Sequence, residues 1–148
     1  MSVAEELRAA CTALRSQEPL SRHTSLAIGG PADHYADVNT LKELVALRKV
    51  VAQHKLPVFF LGAGSNLLVS DKGIRGLVIH LQGDFRRIDF QGTKATVGAG
   101  AMMPALAKQA GEKGLSGVES LIGVPGTIGG GLVMRSEVTP GMASSPAG

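Results

Sequence analysis

The stretch Phe59-Phe60-Leu61-Gly62-Ala63-Gly64-Ser65-Asn66-Leu67-Leu68-Val69-Ser70 constrains this chain most, because an apolar run breaks into glycines and polar residues and then turns apolar again. It reads as a strand delivering a loop. Gly62 and Gly64 have no Cβ, so the backbone there can reach positive φ and approach a ligand, while Ser65 and Asn66 add hydroxyl and amide donors. Such a loop can aim several N–H groups at one anion, most often a phosphate. Two phosphate motifs fail here. A P-loop needs Gly-Lys-Ser/Thr after the glycines, and a dinucleotide fingerprint needs a third glycine where this loop has Leu67. Gly98-Ala99-Gly100 fails in the same way at Met103. Taken alone, the stretch is equally well a tight turn.

A second glycine-rich stretch, Gly123-Val124-Pro125-Gly126-Thr127-Ile128-Gly129-Gly130-Gly131, is again bordered by apolar residues. Two such loops joined by strands suggest a long ligand held at two places. Between and before them the pattern alternates strands and helices. Ser2 and Glu5 have capping-box spacing, and Leu7, Ala10, Cys11 and Leu14 recur at helical intervals, predicting a helix from Val3 to about Arg15. Cys11 on that stripe reads as a buried hydrophobe rather than a nucleophile. Residues 20–32 look irregular, and His34 to Val38 reads as a strand. Thr40 and Glu43 open a helix from Leu41 to about His54, with Leu44, Val45, Leu47 and Val51 inward. Val58 to Leu61 completes a right-handed strand, helix, strand unit with the first glycine loop at its end. Asp71 reads as a turn former. Further strands are expected at Leu77 to Leu81, Arg86 to Phe90 and Lys94 to Val97, and a helix from about Met103 to Lys113 with Pro104 in its first turn. His80 reads as a satisfied or exposed strand histidine, with no second ligand at metal spacing. Leu132, Val133 and Met134 are expected to run inward.

Composition narrows the class. A chain of 148 residues can bury one core or hold two small lobes. One cysteine excludes an internal disulfide framework and suits a reducing compartment. No basic n-region or apolar h-region opens the chain, and no apolar run approaches the roughly 20 residues of a membrane helix, so a soluble cytoplasmic protein is expected. The net charge of +3 is spread out and aromatics make up 3%, which argues against nucleic-acid binding. Glycine is frequent, 20 residues, and clusters at the loops, favouring backbone contact with a ligand.

The motifs Leu61-Gly-Ala-Gly-Ser-Asn-Leu-Leu68, Val97-Gly-Ala-Gly100, Gly114-Leu-Ser-Gly117 and Gly123-Val-Pro-Gly-Thr-Ile-Gly-Gly130, preceded by Thr24-Ser-Leu-Ala-Ile-Gly-Gly-Pro-Ala32, together resemble the UDP-N-acetylenolpyruvoylglucosamine reductases, the MurB flavoenzymes of peptidoglycan synthesis. The resemblance covers roughly residues 20–134. It implies a mixed α+β or α/β fold, a two-lobed FAD-binding domain of the vanillyl-alcohol-oxidase (PCMH) type with its second lobe incomplete. The expected division is an N-terminal helix over 1–19, a first lobe over 20–76, a second over 77–134 and a disordered tail over 135–148. FAD would lie between the lobes. By resemblance, Gly62, Ala63, Gly64, Ser65, Asn66 and Leu67 would hold its diphosphate. Gly123, Val124, Pro125, Gly126, Thr127, Ile128, Gly129 and Gly130 would close over it, and residues 28–31 would pass near the flavin or simply turn into a strand.

The implied reaction carries hydride from NADPH through FAD to the enolpyruvyl group of UDP-N-acetylglucosamine enolpyruvate, with a proton donated to the neighbouring carbon. The family's serine acid, arginine and glutamate have no counterparts in matching motifs here. Arg135, Ser136 and Glu137 stand outside those motifs, and no catalytic residue is assigned. A truncated or frame-shifted product retaining the FAD-binding half is the expectation, with association through surface exposed by truncation. The alternatives are a flavin- or nucleotide-binding module without turnover, or a non-functional fragment.

Overall fold

The computed structural model describes residues 1–65 and 67–134, the side chains of 133 and 134 excepted. The expected disorder of 135–148 and the expected role of Asn66 lie outside the described residues. The chain divides into two compact units, Met1–Asp84 and Phe85–Gly148.

In the first unit, α1 (Val3–Ala10) starts where the sequence predicts. The Ser2 hydroxyl accepts from the Glu5 N–H at 3.2 Å, and the Glu5 carboxylate accepts from the Ser2 N–H at 2.6 Å. The helix ends at Ala10, not near Arg15. Cys11 is extended, and Leu14–Pro19 forms β1, antiparallel to β2 (Pro31–Val38). Tertiary pairing overrides the helical spacing: Leu14 sits opposite Ala36 with its side chain buried, and Arg15 sits opposite Tyr35. A 3-10 turn, Leu20–His23, links β1 to an irregular stretch before β2.

Helix α2 (Leu41–His54) has the expected limits and Thr40–Glu43 capping box, and Lys55 ends it in the left-handed region. It packs against α1 and fully buries Leu47. Leu44, Leu47 and Val51 lie at i, i+3 and i+7 on one stripe; Val45, expected inward, is turned off it and is exposed.

Strand β3 (Val58–Leu61) is an edge strand, and β4 (Ile74–Leu81) starts earlier than predicted. The sheet order is β1-β2-β4-β3, with β2, β4 and β3 mutually parallel. The strand, helix, strand unit of β2, α2 and β3 is present, but β4 lies between its two strands. A boundary after residue 76 would cut the central strand from its sheet, so the first unit extends to Asp84. Leu20, Ala32, Tyr35, Leu61, Val69 and Val78 form one buried cluster.

The second unit contains a hairpin of β5 (Ile88–Gln91) and β6 (Lys94–Val97), then α3 (Met103–Glu112) and a 3-10 turn, Glu119–Gly123, packed on it. Residues Gly83–Arg86, partly expected in a strand, form a 3-10 turn instead. Helix α3 buries Met103, Leu106, Ala107 and Ala110, with Pro104 in its first turn as expected. Ile128–Met134 forms α4, so the second glycine stretch becomes helical rather than remaining a loop throughout. Leu132 is 75% exposed, against the expectation that it runs inward. Among the described residues, no helix is long and apolar enough to cross a membrane.

Candidate functional site

The first glycine loop leaves the C-terminal end of β3, where Leu61 pairs with His80 of β4. Open α/β sheets present ligand crevices at this end of parallel strands. The loop is fixed by the chain itself. Gly64 has φ +70°, and its carbonyl accepts from the Ser25 N–H at 3.1 Å. A Cβ added there would overlap the His23 carbonyl oxygen and lie 3.0 Å from Thr24 Cα. Contact with the 23–25 turn therefore already requires glycine at position 64. Gly73, at φ +75°, likewise has Pro31 backbone where a Cβ would go, and Gly30 N–H donates to Ser70 O at 2.9 Å. Residues 29–31 thus brace the far end of this connection through backbone contact.

A cavity of about 370 Å³ opens beside the loop, lined by Arg22, His23, Thr24, Ser25, Leu61, Gly62, Ala63 and His80. Ser65 is exposed and Leu67 half-buried. Behind the cavity lies a polar network that sequence reasoning did not identify. The His23 ring stacks on the buried Tyr35 ring at 4.4 Å, and His23 Nε2 lies 2.8 Å from Glu18 Oε1. The Tyr35 hydroxyl is 3.2 Å from His23 Nδ1, 3.2 Å from Asp37 Oδ1 and 2.9 Å from His80 Nδ1. His80 Nδ1 is also 2.9 Å from Asp37 Oδ1. Arg15 closes the network, donating to Asp37 Oδ2 at 2.5 Å and Glu18 Oε1 at 2.9 Å.

These distances assign the protons. Burial pushes the Tyr35 phenol far above its ordinary range, reinforced by the charge of Asp37 and its hydrogen bond, so Tyr35 stays protonated. Burial raises the Glu18 carboxyl, but the hydrogen bonds from His23 and Arg15 and the Arg15 charge outweigh it and hold Glu18 below the usual carboxylate value. An ionised Glu18 only accepts, so His23 donates through Nε2, and the single Tyr35 hydroxyl proton goes to one of two acceptors, Asp37 Oδ1 or His23 Nδ1.

In the second unit, the predicted contact stretch spends its donors internally. Val124 N–H donates to Leu121 O at 3.1 Å, Ile128 N–H to Ala101 O at 2.8 Å, Gly129 N–H to Ala99 O at 2.9 Å and Gly130 N–H to Thr127 Oγ1 at 3.1 Å. Pro125 has no N–H, and Thr127 is buried. Gly129 is held close, with Ala99 Cβ and O each 3.0 Å from where its own Cβ would be. These contacts fasten α4 to residues 99–101.

Residues 32–141 match the family described as FAD binding domain. The chain belongs to this FAD-binding family. It is 50% identical over 123 residues to UDP-N-acetylenolpyruvoylglucosamine reductase 2 of Symbiobacterium thermophilum, covering 83% of this chain and 40% of that protein. It is 41% identical over 133 residues to the UDP-N-acetylenolpyruvoylglucosamine reductase of Moorella thermoacetica, covering 90% of this chain and 41% of that one. The crystal structure of UDP-N-acetylenolpyruvylglucosamine reductase (MurB) from Thermus caldophilus superposes with a TM-score of 0.67 at 39% identity, over 80% of this chain and 41% of that one. The FAD-binding domain and mixed α+β fold that the resemblance implied are those found. The chain spans about two-fifths of the length of these relatives.

Cys11 is buried as expected, its Sγ 3.5 Å from Asp37 O, and burial pushes its thiol above the ordinary range. Cys11→Ala is expected to leave FAD affinity within about twofold while lowering stability by roughly 1 kcal/mol, the scale of a small deletion from a packed core. Titration and melting of the same samples would check both.

Proposed function

We propose that this chain is the FAD-binding part of a UDP-N-acetylenolpyruvoylglucosamine reductase, with the first glycine loop and its cavity taking the diphosphate of the cofactor. The observation that carries this reading is the cavity at the C-terminal end of β3 and β4, inside a chain of the FAD-binding family. Its lining fits the group: Gly62 and Ala63 present small side-chain bulk, Arg22 supplies positive charge, Ser25 supplies a hydroxyl, and no carboxylate is among the lining residues. When bound, FAD supplies hydride transfer from NADPH to the enolpyruvyl group of UDP-N-acetylglucosamine enolpyruvate. The described residues bind and orient; none is assigned the proton donation. In the second unit, the N–H groups at 124, 128, 129 and 130 are already engaged by acceptors of the same unit.

A second reading is a flavin-binding module without turnover. NADPH oxidation in the presence of the enolpyruvyl substrate separates the two. Both require FAD binding, which a titration followed by flavin fluorescence and thermal unfolding would measure. A ligand bound only by the folded state stabilises it by about 2.7 kcal/mol at a hundred times its Kd, so the melting temperature should climb with FAD. A flat melting temperature with no fluorescence change would remove both readings.

A further inference from the structure

We propose that the free edge of β3 is a docking surface for a second copy of this chain, the two β3 strands pairing antiparallel across a two-fold axis at Phe59. This goes beyond the cofactor reading and does not depend on it.

The ladder fixes which groups the edge presents. Leu77 N–H of β4 donates to Pro57 O at 2.9 Å, and Val58 stands opposite Leu77 in the parallel register. Backbone groups of alternate residues point to opposite sides of a strand, so residues 57, 59 and 61 face β4 while Val58 and Phe60 aim their N–H and C=O groups away from the sheet. Strand β3 is the last in the sheet order, and among the described residues no group of the chain bonds those outward donors and acceptors. The side chains are apolar on both faces. Leu61 lines the cavity and Phe59 shares its face, whereas Val58 and Phe60 lie on the other; Val58, Phe59 and Phe60 are all exposed, Phe60 by 57%.

The opposite edge of the same sheet is built differently. Strand β1 carries Arg15 and Glu18, holds Gln17 in the left-handed region at φ +54° and ends in Pro19. Charge, irregular backbone and proline are the devices that keep an edge from pairing. Between Val58 and Leu61 there is none of them. Pro57 does not serve, because its missing N–H would lie on the β4 side with its carbonyl.

The edge complements itself. Antiparallel pairing about Phe59 sets Val58 on Phe60 of the second copy and Phe60 on its Val58, each a pair that exchanges both N–H···O bonds, so every outward group of the strand is used. Phe59 meets its own copy between them in the closely spaced position, aromatic on aromatic. In the same register Pro57 falls opposite Leu61 and Lys55 opposite Ala63, so no charge meets its like. This is the self-complementarity that a two-fold interface requires, and it joins two four-stranded sheets into one.

The test is sedimentation equilibrium of the 148-residue chain from about 1 μM to about 1 mM, where monomer should give way to dimer. Phe60→Pro removes an outward N–H from each copy and no ladder bond; it should melt near wild type and dimerise at least about tenfold more weakly. Phe60→Ala, which keeps the N–H, should lose less. In Phe59→Cys, mild oxidation should link two copies, because closely spaced antiparallel pairs hold their Cα atoms about 4.5 Å apart, within reach of a disulfide. Val58→Cys should link far less, and wild type, whose Cys11 is buried, not at all. A wild type that stays monomeric throughout would overturn the proposal and leave the edge to a strand of another protein. So would a dimer as tight in Phe60→Pro as in wild type, or equal linking through positions 58 and 59. If Phe60→Pro fails to fold, the cysteine pair decides.

Discussion

Gly64→Val is expected to unfold the first unit at temperatures where the wild type is stable, and to abolish FAD binding as a consequence. Two effects add at this position. The left-handed conformation at φ +70° costs a residue with a Cβ about 1–2 kcal/mol, more when β-branched. The added atom would also overlap the His23 carbonyl oxygen, and that turn is held by Ser25 N–H on Gly64 O, so relief would break the hydrogen bond that positions the loop. Overpacking of this kind costs about 1–3 kcal/mol, giving roughly 2–5 kcal/mol in all, a large part of the stability of a small unit. Gly92→Ala is the control: at φ +59° it carries the conformational strain, but nothing lies within 4 Å of its Cβ. Urea titrations followed by circular dichroism should show a small midpoint shift for Gly92→Ala and a large one for Gly64→Val. A Gly64→Val chain that melts like wild type yet binds FAD weakly would return Gly64 to the role of a ligand-contact glycine.

The packing around Gly64 shows where sequence reasoning stops. A glycine loop after an apolar run is visible in one dimension, and so are capping boxes, because Ser2 with Glu5 and Thr40 with Glu43 are local. What the glycine avoids is not local: His23 is distant in sequence and meets Gly64 only through folding. The same limit explains β1. Leu7, Cys11 and Leu14 share helical spacing, yet a strand is formed once Ala36 offers Leu14 a partner. The polar network was hidden for a related reason. Tyr35 and Asp37 are two residues apart on β2 and so share a face, but only the sheet register sets His80 opposite Asp37 and Arg15 opposite Tyr35. The second glycine stretch resembled the first in composition; acceptors at Ala99 and Ala101 fasten its last residues, from Ile128 on, into a helix instead.

Tyr35→Ala is expected to destabilise the first unit by about 3–5 kcal/mol, and Tyr35→Phe by about 1–3 kcal/mol. The ring belongs to the buried cluster with Leu20, Ala32, Leu61, Val69 and Val78, so truncation to alanine leaves a void among side chains that cannot easily collapse onto a sheet. It also removes the surface on which His23 stacks and over which the Arg15 guanidinium lies, 5.3 Å from the ring centroid. Phenylalanine restores that packing and isolates the hydroxyl. Without it, either Asp37 Oδ1 or His23 Nδ1 loses the one hydroxyl proton available to them, while His23 Nε2 remains tied to Glu18 and Asp37 keeps Arg15. A half-satisfied buried network is less favourable than a complete one, so the phenylalanine variant should fall clearly below wild type although its volume is nearly unchanged. Chemical denaturation of both variants would measure the division between packing and hydrogen bonding. A Tyr35→Phe variant as stable as wild type would mean that solvent entering through the cavity satisfies His23 and Asp37, and that the network shapes the cavity wall without contributing to the stability of the fold.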